Sequence, residues 1–180
     1  MSIRTTSSRV VYRNRWITVR EDSIERPDGS PGIYSVVEKP NFALIIPVED
    51  DHLYLVEQYR YPVGARFLEF PQGAWEDNPC ADPLDIARGE LQEETGLLAE
   101  RMDHLGRLFI AYGITSQAFD VFRASGLTQG TPSPDAEEQD LIVKRVYVTE
   151  FENLIRSGKI QDAGTVSAWQ LLQLKGYLSK

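Results

Sequence analysis

The residues best suited to chemistry are three carboxylates, Glu90, Glu93 and Glu94, inside the run GELQEETGL at 89–97. Glu90 and Glu94 are four apart and share one face of a helix, with Glu93 beside them. Like charges at that spacing repel by roughly 0.2–0.5 kcal/mol per pair. A divalent cation would remove that cost, because hard cations take carboxylate and carbonyl oxygens and keep positions open for phosphate oxygens. A solvated acidic face on an acidic protein is the plainer alternative.

The helix that carries these acids has legible ends. Asp82 is a good N-cap, Pro83 suits the first helical position, and Asp85 favours the positive end of the helix dipole. Gly96 is a good stop, so the spacing predicts a helix over 83–95. Leu84, Ala87, Leu91 and Leu98 form a second stripe that would face a core. The preceding EFPQG at 69–73 reads as a strand end delivering a loop to the same place.

The pattern Gly73 … Glu90-Leu-Gln-Glu93-Glu94-Thr-Gly96-Leu97 resembles the signature loop and helix of the Nudix hydrolases, which cleave a nucleoside diphosphate linked to another moiety. Two departures stand out. The family arginine before the first helix glutamate is Gly89 here, with Arg88 one position earlier. The loop from Gly73 to Glu90 is two residues longer, so the earlier loop glutamate falls near Ala81 or Asp82. The resemblance implies a mixed sheet between helices, the α/β/α sandwich of that family. It also implies magnesium as cofactor, with manganese a possible substitute. Glu90, Glu94 and the Gln72 carbonyl would be the principal metal ligands, and Glu93 a further ligand or catalytic partner.

Other segments narrow the likeness to the branch that hydrolyses ADP-ribose and other nucleoside diphosphate sugars. Residues 1–40 are expected to form a small N-terminal β unit that dimerises, and 41–180 the hydrolase domain. A β-rich stretch over 10–25, a turn at 27–30 and a returning strand at 33–38 make up that unit. Trp16, with Tyr12, is the candidate for stacking on a nucleobase; core or interface packing is the alternative for both. Gln58-Tyr59-Arg60 resembles an element that precedes the box in such enzymes. Arg60 would offer its forked cation to the diphosphate, unless it serves a structural ion pair; Arg66 is a weaker candidate. Glu69 would orient a metal water or the ribose, or be a buried hydrogen-bonded carboxylate. Gln117 occupies a loop where relatives often carry Glu; it could bond a sugar or base but could not take a proton. Glu138, with Glu137 as runner-up, matches the loop position that activates the attacking water in this branch; an acidic surface loop is the alternative.

The run at 42–48 predicts a central strand buried on both faces, 52–58 the next strand, 67–70 the strand before the box, and 104–111 with 119–124 a later pair. A strand at 141–148, a helix over 150–156 capped by Thr149, and an amphipathic helix using Ile160, Val166, Trp169, Leu172 and Leu174 would close the domain. His52 and His104 are isolated and read as structural.

Composition agrees with such an enzyme and excludes other classes. A length of 180 residues supports one domain with a full core. A formal net charge of −8 argues against binding nucleic acid or a membrane surface. Cys80 is the single cysteine, so no internal disulfide forms and a reducing, cytoplasmic setting is expected. No apolar run approaches membrane-spanning length, and the polar start lacks a signal-peptide core. The expected partner is a nucleotide sugar. Other diphosphate substrates (GDP-mannose, a dinucleotide, a nucleoside triphosphate, an isoprenoid diphosphate) and a non-catalytic nucleotide-binding role remain the alternatives.

Overall fold

The computed structural model describes residues 2–75, 77–78, 80–131 and 140–177. The chain opens with three antiparallel strands, β1 (Arg4–Arg13), β2 (Thr18–Glu25) and β3 (Pro31–Glu38), paired in that order. The β2–β3 turn follows from its residues. Gly29 takes a left-handed φ of 84°, and the Asp28 carboxylate accepts the Ser30 N–H at 3.0 Å. The sequence predicts two of these strands; the third, β1, is exposed along its whole length and so has no alternating pattern to read.

A seven-stranded mixed sheet follows. Its main order is β10 (Ile142–Tyr147), β5 (His52–Arg60), β4 (Phe42–Glu49), β9 (Ala118–Gln129) and β8 (Leu97–Phe109). β4 and β9 run parallel, whereas the other pairs are antiparallel. β4 pairs with β5 only at their shared turn, through Val48 with Leu53 and Glu49 with His52. Beyond that point β5 takes β6 (Ala65–Glu69) as its partner and β4 takes the two-residue β7 (Gln72–Gly73). The sheet therefore parts between its two central strands, and the loop that carries Gln72 and Gly73 enters the gap.

The β4 segment is apolar at nearly every position because both its faces are covered. Ala43 and Ile45 pack with Ile86, Ala87 and Leu91 of helix α1 (Pro83–Thr95). Leu44, Ile46 and Val48 face the other way, toward helices α2 (Val148–Arg156) and α3 (Ala163–Leu174). That alternation makes the expected three-layer α/β/α sandwich. Phe151 anchors the second layer, its ring 5.0 Å from that of Phe70 and 4.8 Å from that of Trp169. At 0% exposure, its loss to alanine would cost about 3–5 kcal/mol.

Three local expectations need correction. Leu98 lies in β8 and is exposed, since the stop at Gly96 ends the helix before it; Ile86 takes the core place instead. Leu174 is exposed at the end of α3. The N-cap of α2 is Tyr147, which makes no side-chain cap bond, and Thr149 lies inside the helix.

Candidate active site

Helix α1 forms where its sequence dictates. The Asp82 carboxylate accepts the Leu84 N–H at 2.8 Å. Gly96 adopts φ 71° and donates its N–H to the Gln92 carbonyl at 2.8 Å. With Ile86, Ala87 and Leu91 seated on β4, the helix turns its acids toward the loop at β7. Glu90 and Glu94 are buried, with 5% and 2% exposure, and Glu93 is half-buried. For Glu90 and Glu94 the solvated-face alternative is therefore excluded. A Cβ added at Gly73 would lie 2.5 Å from Cδ of Glu90 and 2.7 Å from its Oε1, so only glycine leaves room for that carboxylate. The Gln72 N–H donates to Glu94 Oε2 at 3.1 Å. Loop and helix are thereby joined at consecutive residues, 72 and 73.

Among the described residues, no group of three His, Cys, Asp and Glu side chains forms a ready cation cage. The candidate set instead combines Glu90 and Glu94 with main-chain oxygen at Gln72. All are hard oxygen donors, the chemistry that suits a magnesium- or manganese-type ion, and the Gly73 notch holds the Glu90 carboxylate against the loop that supplies the main-chain oxygen.

Glu90 and Gln72 border a cleft of about 840 Å³, with Glu94 buried behind them. Glu90, Glu93, Gln72 and Gly73 line it together with Arg60, and so do Arg15, Trp16 and Lys39 from the N-terminal segment. Acids that suit a cation and cations that suit a phosphate thus share one space. Asp162, the N-cap of α3, also lines it. Its Oδ2 accepts the Thr165 N–H at 2.7 Å and the Gln72 side-chain amide at 3.4 Å.

Arg60 and Glu69 face each other because β5 and β6 pair in a register that sets Val56 opposite Glu69 and Arg60 opposite Ala65. Residues two apart share a face, so Gln58 and Arg60 both reach Glu69. Arg60 Nε donates to Glu69 Oε2 at 3.2 Å, its Nη2 donates to Oε1, and the Gln58 amide adds a bond of 2.7 Å. Burial pushes the Glu69 carboxyl above the usual range, against the opposing pull of Arg60 and Gln58. Glu69 stands behind Arg60 and off the cleft wall, the buried hydrogen-bonded alternative foreseen for it.

Arg66 is displaced from the role considered for it. It pairs opposite Tyr59 on the other face of β5–β6, where it meets Glu57 at 3.2 Å and Asp140 at 2.5 Å. One step of strand parity decides this. Trp16 lines the cleft with the Arg15 guanidinium 4.7 Å above its ring, whereas Tyr12 is exposed and off the lining. Gln117 lines the cleft, and its amide donates to the Pro40 carbonyl at 2.6 Å. His52 packs against the Tyr147 ring and His104 bonds Asp120, both away from the cleft. Glu137 and Glu138 lie outside the described residues.

Sequence reasoning missed Asp162, Trp75, Arg15 and Lys39 as cleft residues. For Asp162 a signal existed, an Asp three residues ahead of Thr165 at a helix start. A cap residue gives no hint that it also faces a cavity.

A sheet opened to admit a glycine loop, facing buried glutamates on a capped helix, defines a Nudix-type α/β/α protein. The chain belongs to the Nudix hydrolases, in their ADP-ribose pyrophosphatase branch. Residues 3–37 match the family model described as the nucleoside diphosphate sugar hydrolase N-terminal domain. The chain is 30% identical over 158 residues to the ADP-ribose pyrophosphatase of Mycobacterium tuberculosis, covering 87% of this chain and 76% of that protein. It is 27% identical over 174 residues to the methanol dehydrogenase activator of Bacillus methanolicus, covering 96% and 93%. Its fold is similar to the crystal structure of an ADP compounds hydrolase, with a TM-score of 0.86 over 99% of this chain and 98% of that one at 24% identity.

Proposed function

We propose that this chain hydrolyses the pyrophosphate bond of a nucleoside diphosphate sugar, ADP-ribose first, to a nucleoside monophosphate and a sugar phosphate. The observation that carries the reading is the burial of Glu90 against Gly73 and of Glu94 against Gln72, beside a cleft that Arg60, Arg15 and Lys39 also line. A cation bound between two buried carboxylates would offset the cost of keeping both charges out of water.

Glu90, Glu94 and the Gln72 carbonyl would hold Mg2+, or Mn2+ in its place, with Glu93 at the cleft wall as a further ligand or catalytic partner. When bound, the cation neutralises the diphosphate and acidifies a water. Arg60 fixes the diphosphate with the N–H edge of its guanidinium that Glu69 leaves open. Trp16 offers a ring to the nucleobase and Gln117 its amide to sugar or base. We assign the proton-accepting role to Glu138, with Glu137 beside it.

We read residues 1–40 as a dimerising unit and 41–180 as the catalytic domain of a cytoplasmic homodimer. The support is an N-terminal segment that exposes Ile3, Val10, Val11, Tyr12, Ile33 and Tyr34, apolar surface of the kind that marks an interaction site. Among the described residues no helix is long and apolar enough to cross a membrane. A regulatory reading has one observation in its favour, the likeness to a protein named as the activator of another enzyme. The buried glutamate pair favours hydrolysis.

The test is a panel of ADP-ribose, GDP-mannose and dinucleotides with Mg2+ and with Mn2+, followed by monophosphate release. Cation-dependent release, greatest from ADP-ribose, is expected. Tight nucleotide binding with no release from any of them would favour the regulatory reading.

A further inference from the structure

Glycine stands at position 89 in the middle of the helix that carries the acids, where it weakens the helix relative to alanine. The reason lies in the loop. A Cβ built on Gly89 would be 2.5 Å from Cζ2 of Trp75, 3.3 Å from Cε2 and 3.5 Å from Nε1. The indole is therefore laid on bare helix backbone at the residue before Glu90, and no side chain at 89 could coexist with it. Trp75 also packs against the cluster of Ile86, Ala87 and Leu91 and borders the cleft.

Two residues before Trp75 the same relation occurs in reverse, with the Glu90 carboxylate in the notch of Gly73. The loop thus receives a side chain from the helix at one glycine and sends a side chain into the helix at another. The lengthened loop turns back immediately afterwards, the Asn78 N–H donating to the Trp75 carbonyl at 3.0 Å. Two reciprocal notches define both the distance of α1 from the loop and its rotation. With α1 seated on β4 and tied to the loop through the Gln72–Glu94 bond, the second notch fixes the loop beyond Gly73 against the helix at the residue before Glu90.

We infer that Trp75 and Gly89 form an interlocked pair that sets where Glu90 stands, making Trp75 a positioning residue for the cation-binding carboxylates. The inference rests on the cation-dependent hydrolysis proposed above. It also explains how this chain dispenses with a side chain at position 89.

The test uses the full chain and the variants Gly89→Ala, Trp75→Ala, Trp75→Phe and the double Trp75→Ala/Gly89→Ala. Three quantities are read: Mn2+ affinity by calorimetry, kcat and KM for ADP-ribose, and the thermal midpoint without metal. In an ordinary helix Gly89→Ala would raise the midpoint; here it lowers it, because the new methyl displaces the ring. Each alanine single weakens Mn2+ affinity and kcat by about 10–100-fold, the usual scale for groups that support a metal ligand, with KM little moved. The double variant is no worse than Trp75→Ala alone, and Trp75→Phe keeps most of both. Wild-type Mn2+ affinity in either folded alanine single, or losses that multiply in the double variant, would overturn the pair. A wild-type chain that binds Mn2+ yet releases no monophosphate overturns the hydrolysis, while the affinity cycle still decides the pair. A wild-type chain that binds no Mn2+ overturns both.

Discussion

Arg60 grips both oxygens of Glu69, a carboxylate with 2% exposure, while its own side chain stays 40% open and borders the cleft. The buried acid holds the guanidinium plane and leaves its outer edge for a ligand. A lysine cannot reproduce that fork. Arg60→Lys should therefore raise KM for ADP-ribose by about tenfold or more, given about 1.5–3 kcal/mol for a charge-assisted bond, with a smaller change in kcat. Steady-state kinetics check this, and an unchanged KM would remove Arg60 from the substrate.

Glu69 also leaves a signature in stability. Its carboxyl is raised above the ordinary 4.5 by burial first, with Asp162 adding to the rise. A raised folded-state pKa means that the native state holds the proton more tightly than the unfolded chain. That contribution is fully present below about 4.5 and is lost as pH climbs through the folded-state value. Glu69→Gln keeps one of the two acceptor oxygens used by Arg60 and abolishes the titration. Urea unfolding at a series of pH values should show the wild type losing stability relative to Glu69→Gln as pH rises from about 4.5, and then running parallel. A difference independent of pH would refute the shift.

Glu94→Gln preserves shape and the acceptor for the Gln72 N–H but removes the charge. Turnover should fall by at least about a hundredfold, beyond the usual effect of supporting groups, with the circular dichroism unchanged. Gly73→Ala should act on Glu90 by a different route, since its methyl would occupy the carboxylate's place. It should raise the Mg2+ concentration needed for half-maximal rate. Near-normal turnover in Glu94→Gln would defeat the metal assignment.

The exposed face of the N-terminal sheet should be covered by a second copy of the chain. Tyr12→Lys with Ile33→Lys puts two charges on one face of that sheet, where both side chains are solvent-exposed in the single chain. Sedimentation should show a dimer for the wild type and a monomer for the double variant, each with its secondary structure intact. A wild type that sediments as a monomer at micromolar concentration would contradict the homodimer.

Much of the architecture is local and was readable in advance. Helix α1 is bounded by Asp82 and Gly96 as their cap chemistry demands. The unbroken apolar run at 42–48 is a strand covered on both faces. The expected stretch at 10–25 runs together the end of β1 and all of β2; β1 owes its place to pairing with β2, and a fully exposed edge carries no pattern that marks where it begins. Arg66 and Arg60 look alike as cations in one segment, and only strand register sends one to Asp140 and the other to the cleft.

By itself the sequence determined the acids, their spacing and the helix that bears them, because i,i+4 geometry and capping act within a dozen residues. Tertiary structure decided which of those acids are buried and that Arg15, Lys39 and Asp162 share their cleft. It also decided that Trp75 fills the space left by Gly89. Those relations join different elements across the fold, and a chain segment holds no record of what will be folded against it.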